Sequence, residues 1–200
     1  FAIMSGHDGL VNVMANLKLL AISLLKIVND IRLLSSGPRS GLCEFKLPEN
    51  EPGSSIMPGK VNPTQCEAMS MICTQIIGYE AAVSLSGCGG HLQMNAYKPL
   101  IGFNLLNSIK LLYSACKSCR TKMISGIQPN EEKIKENLNN SLMLITALTP
   151  EIGYEKACEI AQFAYKESIN LRDSALQLGY ISEADFDRIV QPGDMTKSPS

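Results

Sequence analysis

The sequence predicts an all-α protein, a bundle of long helices followed by a small C-terminal helical domain. Three observations carry that reading. Leu, Ile, Met, Ala, Lys and Glu are plentiful, while aromatics make up 6% of the 200 residues and Trp is absent, a balance that favours helix over sheet. Apolar residues recur at three- and four-residue spacing over long stretches. Near residue 130 the text turns charged and the units shorten. Hydrophobic residues reach 45%, enough for a sizeable core in one large domain or two modest ones. Disorder, a collagen repeat and a disulfide-stapled miniprotein are excluded. A formal net charge of −1 offers no general attraction to nucleic acid or to an anionic membrane.

The first long helix opens at Ser5-Gly6-His7-Asp8, with Ser5 expected as its cap and Asp8 complementing its positive end. Leu10, Val13, Met14, Leu17, Leu20, Leu24, Ile27, Val28 and Ile31 follow at helical spacing, while Leu19, Ile22, Leu25, Leu33 and Leu34 fall on other faces. Apolar surface so far round marks a strut inside a bundle or an oligomer core. Gly37-Pro38 ends it. Residues 37–62 form a long connection without a sustained period, and such loops inside compact domains are usually functional. Pro63 suits the first position of a second helix capped by Asn62, which runs through Val83 until Gly87-Cys88-Gly89-Gly90 breaks it. A third starts near Pro99 and ends by Gly126. The domain division is expected at 1–130 and 131–200, with short helices near 131–138, 140–147, 153–168, 170–178 and 182–190. Ser182 with Glu183 and Asp185 opens the last of these.

Seven cysteines are scattered through apolar text, which fits reduced thiols in a cytosol-like compartment. Cys116 and Cys119 have CxxC spacing, but no second pair or His cluster completes a zinc site. Packing is their expected role, and no metal is expected. The two histidines read as structural: His7 as a capping residue at a helix start, His91 as part of a Gly-rich step. Phe1-Ala2-Ile3-Met4 lacks the basic flank of a signal peptide and starts in mid-pattern, as a piece of a longer chain would.

The chemistry concentrates in Gly53-Ser54-Ser55-Ile56-Met57-Pro58-Gly59-Lys60-Val61-Asn62-Pro63. A phosphate loop is the first test, and it fails. Five residues separate Gly53 from Gly59 where four are needed, and Val61 stands where a hydroxyl should bind magnesium. What remains is two hydroxyls, one ammonium and one amide ahead of a helix N-terminus, a set suited to a carboxylate ligand. A serine hydroxyl is too weak an acid for base work unless a cation and backbone N–H groups stabilise its oxyanion. The same residues also suit a turn that merely caps the next helix. On the residues alone both readings stay open.

The segment resembles the signature loop of the fumarase/aspartase superfamily, GSSxMPxKxNP, at every fixed position. The likeness extends over nearly the whole chain: Lys26 to Leu34, Ser36-Gly37-Pro38-Arg39, Leu47-Pro48-Glu49-Asn50-Glu51-Pro52, Thr64 to Met69, Asn139 to Leu144, and Ile152 to Ala157. Asn95-Ala96-Tyr97-Lys98-Pro99 resembles class II fumarases, while Leu92-Gln93 is closer to aspartase wording. The resemblance implies reversible hydration of fumarate to L-malate, as in the tricarboxylic acid cycle, with no cofactor. It implies Ser54 as general base, Ser55, Lys60, Asn62 and the Val61 backbone as carboxylate binders, and Glu67 as the residue that orients an acid histidine. It further implies a cytoplasmic homotetramer (mitochondrial matrix in a eukaryote) whose sites each draw on three chains, with a small dicarboxylate as partner, no nucleic acid and no membrane. Neither His7 nor His91 stands in the catalytic-histidine context, so the 200-residue chain alone is expected to be inactive. Two alternatives remain: a non-catalytic helical oligomerisation segment, or another lyase of the superfamily such as aspartase.

Overall fold

Helix-forming runs with no proline beyond the first turn build the three long elements. In the computed structural model, which describes residues 2–51, 57 and 60–197, a short α1 (Ala2–Ser5) precedes α2 (Asp8–Leu34), α3 (Thr64–Gly87) and α4 (Lys98–Lys122). The chain falls into two compact units, Phe1–Asn130 and Glu131–Ser200.

In the first unit α3 lies between α2 and α4. Of its buried residues, the run Cys66, Met69, Cys73, Ile76, Glu80 and Val83 is spaced alternately three and four apart. On α4 the series Ile101, Leu105, Ser108, Leu112, Ala115 and Cys119 alternates in the same way. That mean spacing of 3.5 keeps one seam facing its neighbour along a long helix. The α2 face is narrower, with Met14, Ala21, Val28 and Ile31 buried. Its other apolar side chains stay open: Leu19 is 62% exposed, Ile27 51% and Leu33 61%. By length and composition alone, α2 and α3 are also apolar enough to cross a membrane.

Helix starts differ from the sequence reading. Ser5 ends α1, and the cap position of α2 is His7, whose backbone (φ −131°, ψ 39°) is non-helical and whose side chain, expected to cap, caps nothing. Asp8 does occupy the first turn. Asn62 is not the cap of α3 either. Pro63 takes that position with ψ 52°, outside the helical range, so α3 begins at Thr64 and the Glu67 N–H donates to the Pro63 carbonyl at 3.1 Å.

After α4 a 3₁₀ turn (Ile124–Gly126) leads into a two-residue strand β2 (Gln128–Pro129), which pairs antiparallel with β1 (Phe45–Lys46). Phe45 stands opposite Pro129 and Lys46 opposite Gln128. Two residues are too few to show a period of two, so neither strand is legible in the sequence.

The second unit comprises α5 (Glu131–Asn139), a 3₁₀ segment (Leu142–Ala147), α6 (Thr149–Ile152), α7 (Tyr154–Glu167), α8 (Leu171–Leu178) and α9 (Glu183–Ile189). Leu148, Ile160, Ala164, Leu171, Ala175 and Phe186 form its core. The helix expected near 140–147 is a six-residue 3₁₀ segment instead, a form used in short connecting pieces, between the Ser141 turn and the new helix opened by Thr149-Pro150. Asn170 caps α8 by accepting from the Asp173 N–H at 2.8 Å, and Ser182 caps α9 through the Asp185 N–H at 3.2 Å. The buried Ser174 hydroxyl donates to the Ile160 carbonyl at 2.7 Å and ties α8 to α7.

Candidate functional site

The site is built where the long connection meets the head of α3. Ser54 and Ser55, expected as base and carboxylate binder, lie outside the described residues. The other four expected residues can be placed. Lys60 is exposed, and its backbone N–H donates to the Met57 carbonyl at 3.3 Å. Val61 is 40% exposed. Asn62 is half-buried, beside Pro48, Asn50, Gln65 and Met123 in a recess of about 10 Å³. That recess is too small to be a dicarboxylate pocket by itself. Glu67 stands in the first turn of α3, where helix amides and dipole favour a carboxylate.

Both flanks of the segment are fastened to the end of α4. On the N-terminal side the Asn50 amide donates to the Lys122 carbonyl at 2.7 Å. On the C-terminal side the Ser118 hydroxyl donates to the Gln65 side-chain carbonyl at 2.8 Å. Pro48 packs so closely on Gly126 that a Cβ there would come within 2.5 Å of the proline ring. The β1–β2 pair and the Asn130 amide, which donates to the Cys43 carbonyl at 2.9 Å, complete the anchorage.

Charge around Glu67 is mixed. Arg32, in the last turn of α2, donates from Nη2 to Glu67 Oε1 at 3.2 Å. The neighbouring Cys66 is buried with its Sγ 3.3 Å from Met123 Sδ. Burial, and then the nearby Cys119, push its thiol up to about 11, so it stays a neutral packing group at pH 7. Cys119 is likewise buried and Cys116 exposed, and all seven cysteines are free thiols. Among the described residues no group of three His, Cys, Asp or Glu could hold a metal ion.

Neither histidine joins these groups in sequence or in a described contact. His91 is exposed. The Nε2 of His7 is buried without a hydrogen-bond partner among the described residues, beside an open recess lined by Ile3, Gly6, Asp8, Gly9 and Leu10. The sequence reading missed Arg32, Asn50, Gln65 and Ser118 as neighbours of the site. Only the arrangement of α2, α3 and α4 brings them to it, and no local motif announces that arrangement.

Two family models match this chain: one described as lyase over residues 1–78, and one described as fumarase C C-terminus over residues 144–197. Fold and loop sequence together thus define the class, the helical fumarase/aspartase superfamily. Two curated proteins from strains of Prochlorococcus marinus, each named fumarate hydratase class II, are 68% and 63% identical over 98% and 99% of the chain. A crystal structure of class II fumarase from Schistosoma mansoni superimposes with a TM-score of 0.93 at 46% identity, covering 98% of this chain and 41% of that one. The chain belongs to the class II fumarase family and spans about two fifths (42%) of the length of those curated relatives.

Proposed function

We propose that this chain is the C-terminal part of a class II fumarate hydratase that interconverts fumarate and L-malate. The observation that carries the reading is the 68% identity to a protein of that name across 98% of the chain, with every fixed position of the signature loop kept. In the dehydration direction Ser54 takes the proton from C3 of malate. The C–H electron pair is held first as a carbanion delocalised into the adjacent carboxylate, then forms the C2–C3 double bond. The C2–O bond breaks, and the hydroxyl leaves as water with a proton from a histidine acid. Lys60, the Val61 backbone, Asn62 and Ser55 bind the two carboxylates, and the Lys60 ammonium offsets the charge that grows on one of them. Glu67 orients the histidine, which in this reading belongs to a part of the protein outside these 200 residues.

Residues 1–130 would serve as a segment of the catalytic bundle and 131–200 as a small terminal domain. The open apolar faces of α2 suit the interior of a homotetramer, and the whole suits a cytoplasmic enzyme, or a matrix enzyme in a eukaryote. Leu92-Gln93 supports aspartase as a second reading; ammonia release from aspartate under the same conditions distinguishes it. The direct test follows fumarate absorbance. The chain alone is expected to give no loss of signal, and addition of the N-terminal portion is expected to restore it. Activity of the chain alone would overturn the division of the site.

A further inference from the structure

Among the described residues two ion pairs join α2 to α3, and they differ in kind. Lys18 and Glu80 meet at 2.6 Å with the carboxylate side chain only 11% exposed, so this pair fixes how the two helices sit. Arg32 and Glu67 meet at 3.2 Å near the other end of both helices, with side chains 53% and 43% exposed. A pair in that much water adds little to stability, because solvent screens it and two long side chains lose freedom. Arg32 reaches only Oε1 of Glu67, and Oε2 takes no donor among the described residues.

We propose that Arg32 is a positioning residue, which holds one oxygen of Glu67 so that the other stays aimed at the acid histidine. The inference rests on the hydratase reading, in which Glu67 orients that histidine. A glutamate has three side-chain torsions, and half in water it samples several rotamers unless a partner on a rigid element selects one. Arg32 is such a partner. It stands in the last turn of a 27-residue helix that the Lys18–Glu80 pair locks against α3. Its planar guanidinium directs the N–H along a defined line, which a lysine ammonium does less well.

The test is made in the full-length protein that contains this chain, with Arg32→Ala, Arg32→Lys, Glu67→Gln and the Arg32→Ala/Glu67→Gln double variant. Misplacing a catalytic group by about 1 Å costs up to about 100-fold, so Arg32→Ala should lower kcat by about 10- to 100-fold. KM should stay within about twofold, since no carboxylate contact to substrate is lost. Arg32→Lys should fall between wild type and Arg32→Ala, and all four variants should melt close to wild type. In the Glu67→Gln background, removing Arg32 should lower kcat no further, because both changes act through one group. Wild-type kcat in Arg32→Ala beside a slow Glu67→Gln overturns the inference, and so does full additivity of the two changes. Normal kcat in Glu67→Gln instead overturns the hydratase assignment of Glu67, and the inference with it.

Discussion

At the scale of single residues, the clearest energetic dependence is at Glu80. Its side chain is nearly buried, and Lys18 meets it at 2.6 Å while the Ser84 hydroxyl donates at 2.7 Å. The Lys18 ammonium, helped by Ser84, holds the carboxyl below its ordinary range. A depressed folded-state pKa contributes stability above the unfolded value and loses it as pH falls. Lys18→Met leaves the carboxylate with the hydroxyl alone, which should cost about 1–3 kcal/mol at pH 7. The gap between variant and wild type should close as pH drops below about 4.5, and urea unfolding of both across that range measures it. Legibility at this scale divides cleanly. Lys60, Val61 and Asn62 could be named because the signature is contiguous in sequence. The Arg32–Glu67 and Lys18–Glu80 pairs could not, because their partners are 35 and 62 residues apart and only helix packing joins them.

At the scale of elements, the existence of the long helices was legible and their starts were not. Apolar periodicity runs through α2, α3 and α4 and survives local noise. A start depends on one backbone torsion, such as the non-helical ψ of Pro63 that displaces Asn62 from the cap. The anchorage of the loop stem was hidden for a related reason, since β1 and β2 have two residues each. That anchorage is open to a direct probe. Gly126→Ala places a Cβ 2.5 Å from the Pro48 ring, and a proline ring has little freedom to give way. Overpacking of this kind should cost about 1–3 kcal/mol, read as a lower urea midpoint with unchanged slope. Unchanged stability would mean that the Pro48 segment is not held against the end of α4.

At the scale of the whole molecule, the apolar residues on several faces of α2 are the main fact. By sequence they mark a bundle or oligomer interior. In this chain Leu19, Ile22, Ile27 and Leu33 remain between 47% and 62% exposed. Exposed apolar surface on several faces of a free chain drives association, so the chain should sediment as a species heavier than its own 21.7 kDa. Replacing Leu19 and Ile22 by glutamate should return it to that mass, and a wild-type chain that stays monomeric at micromolar concentration would contradict the account. The fold class was legible because helical period and composition agree throughout. The site was only half legible. The loop's chemistry stands in the sequence, but the acid histidine that the proposed mechanism calls for does not.

In the proposed mechanism the loop carrying Ser54, Lys60 and Asn62 grips a dicarboxylate and removes its proton. Steady-state fumarate hydration by the full-length protein, compared with its Ser54→Ala and Lys60→Ala variants, tests it most directly. Loss of a positioned base should lower kcat by about 100- to 10,000-fold in Ser54→Ala. Loss of the ammonium that offsets the growing carboxylate charge should cost Lys60→Ala about 100-fold or more. Wild-type rates in both variants, with the fold intact, would contradict the claim.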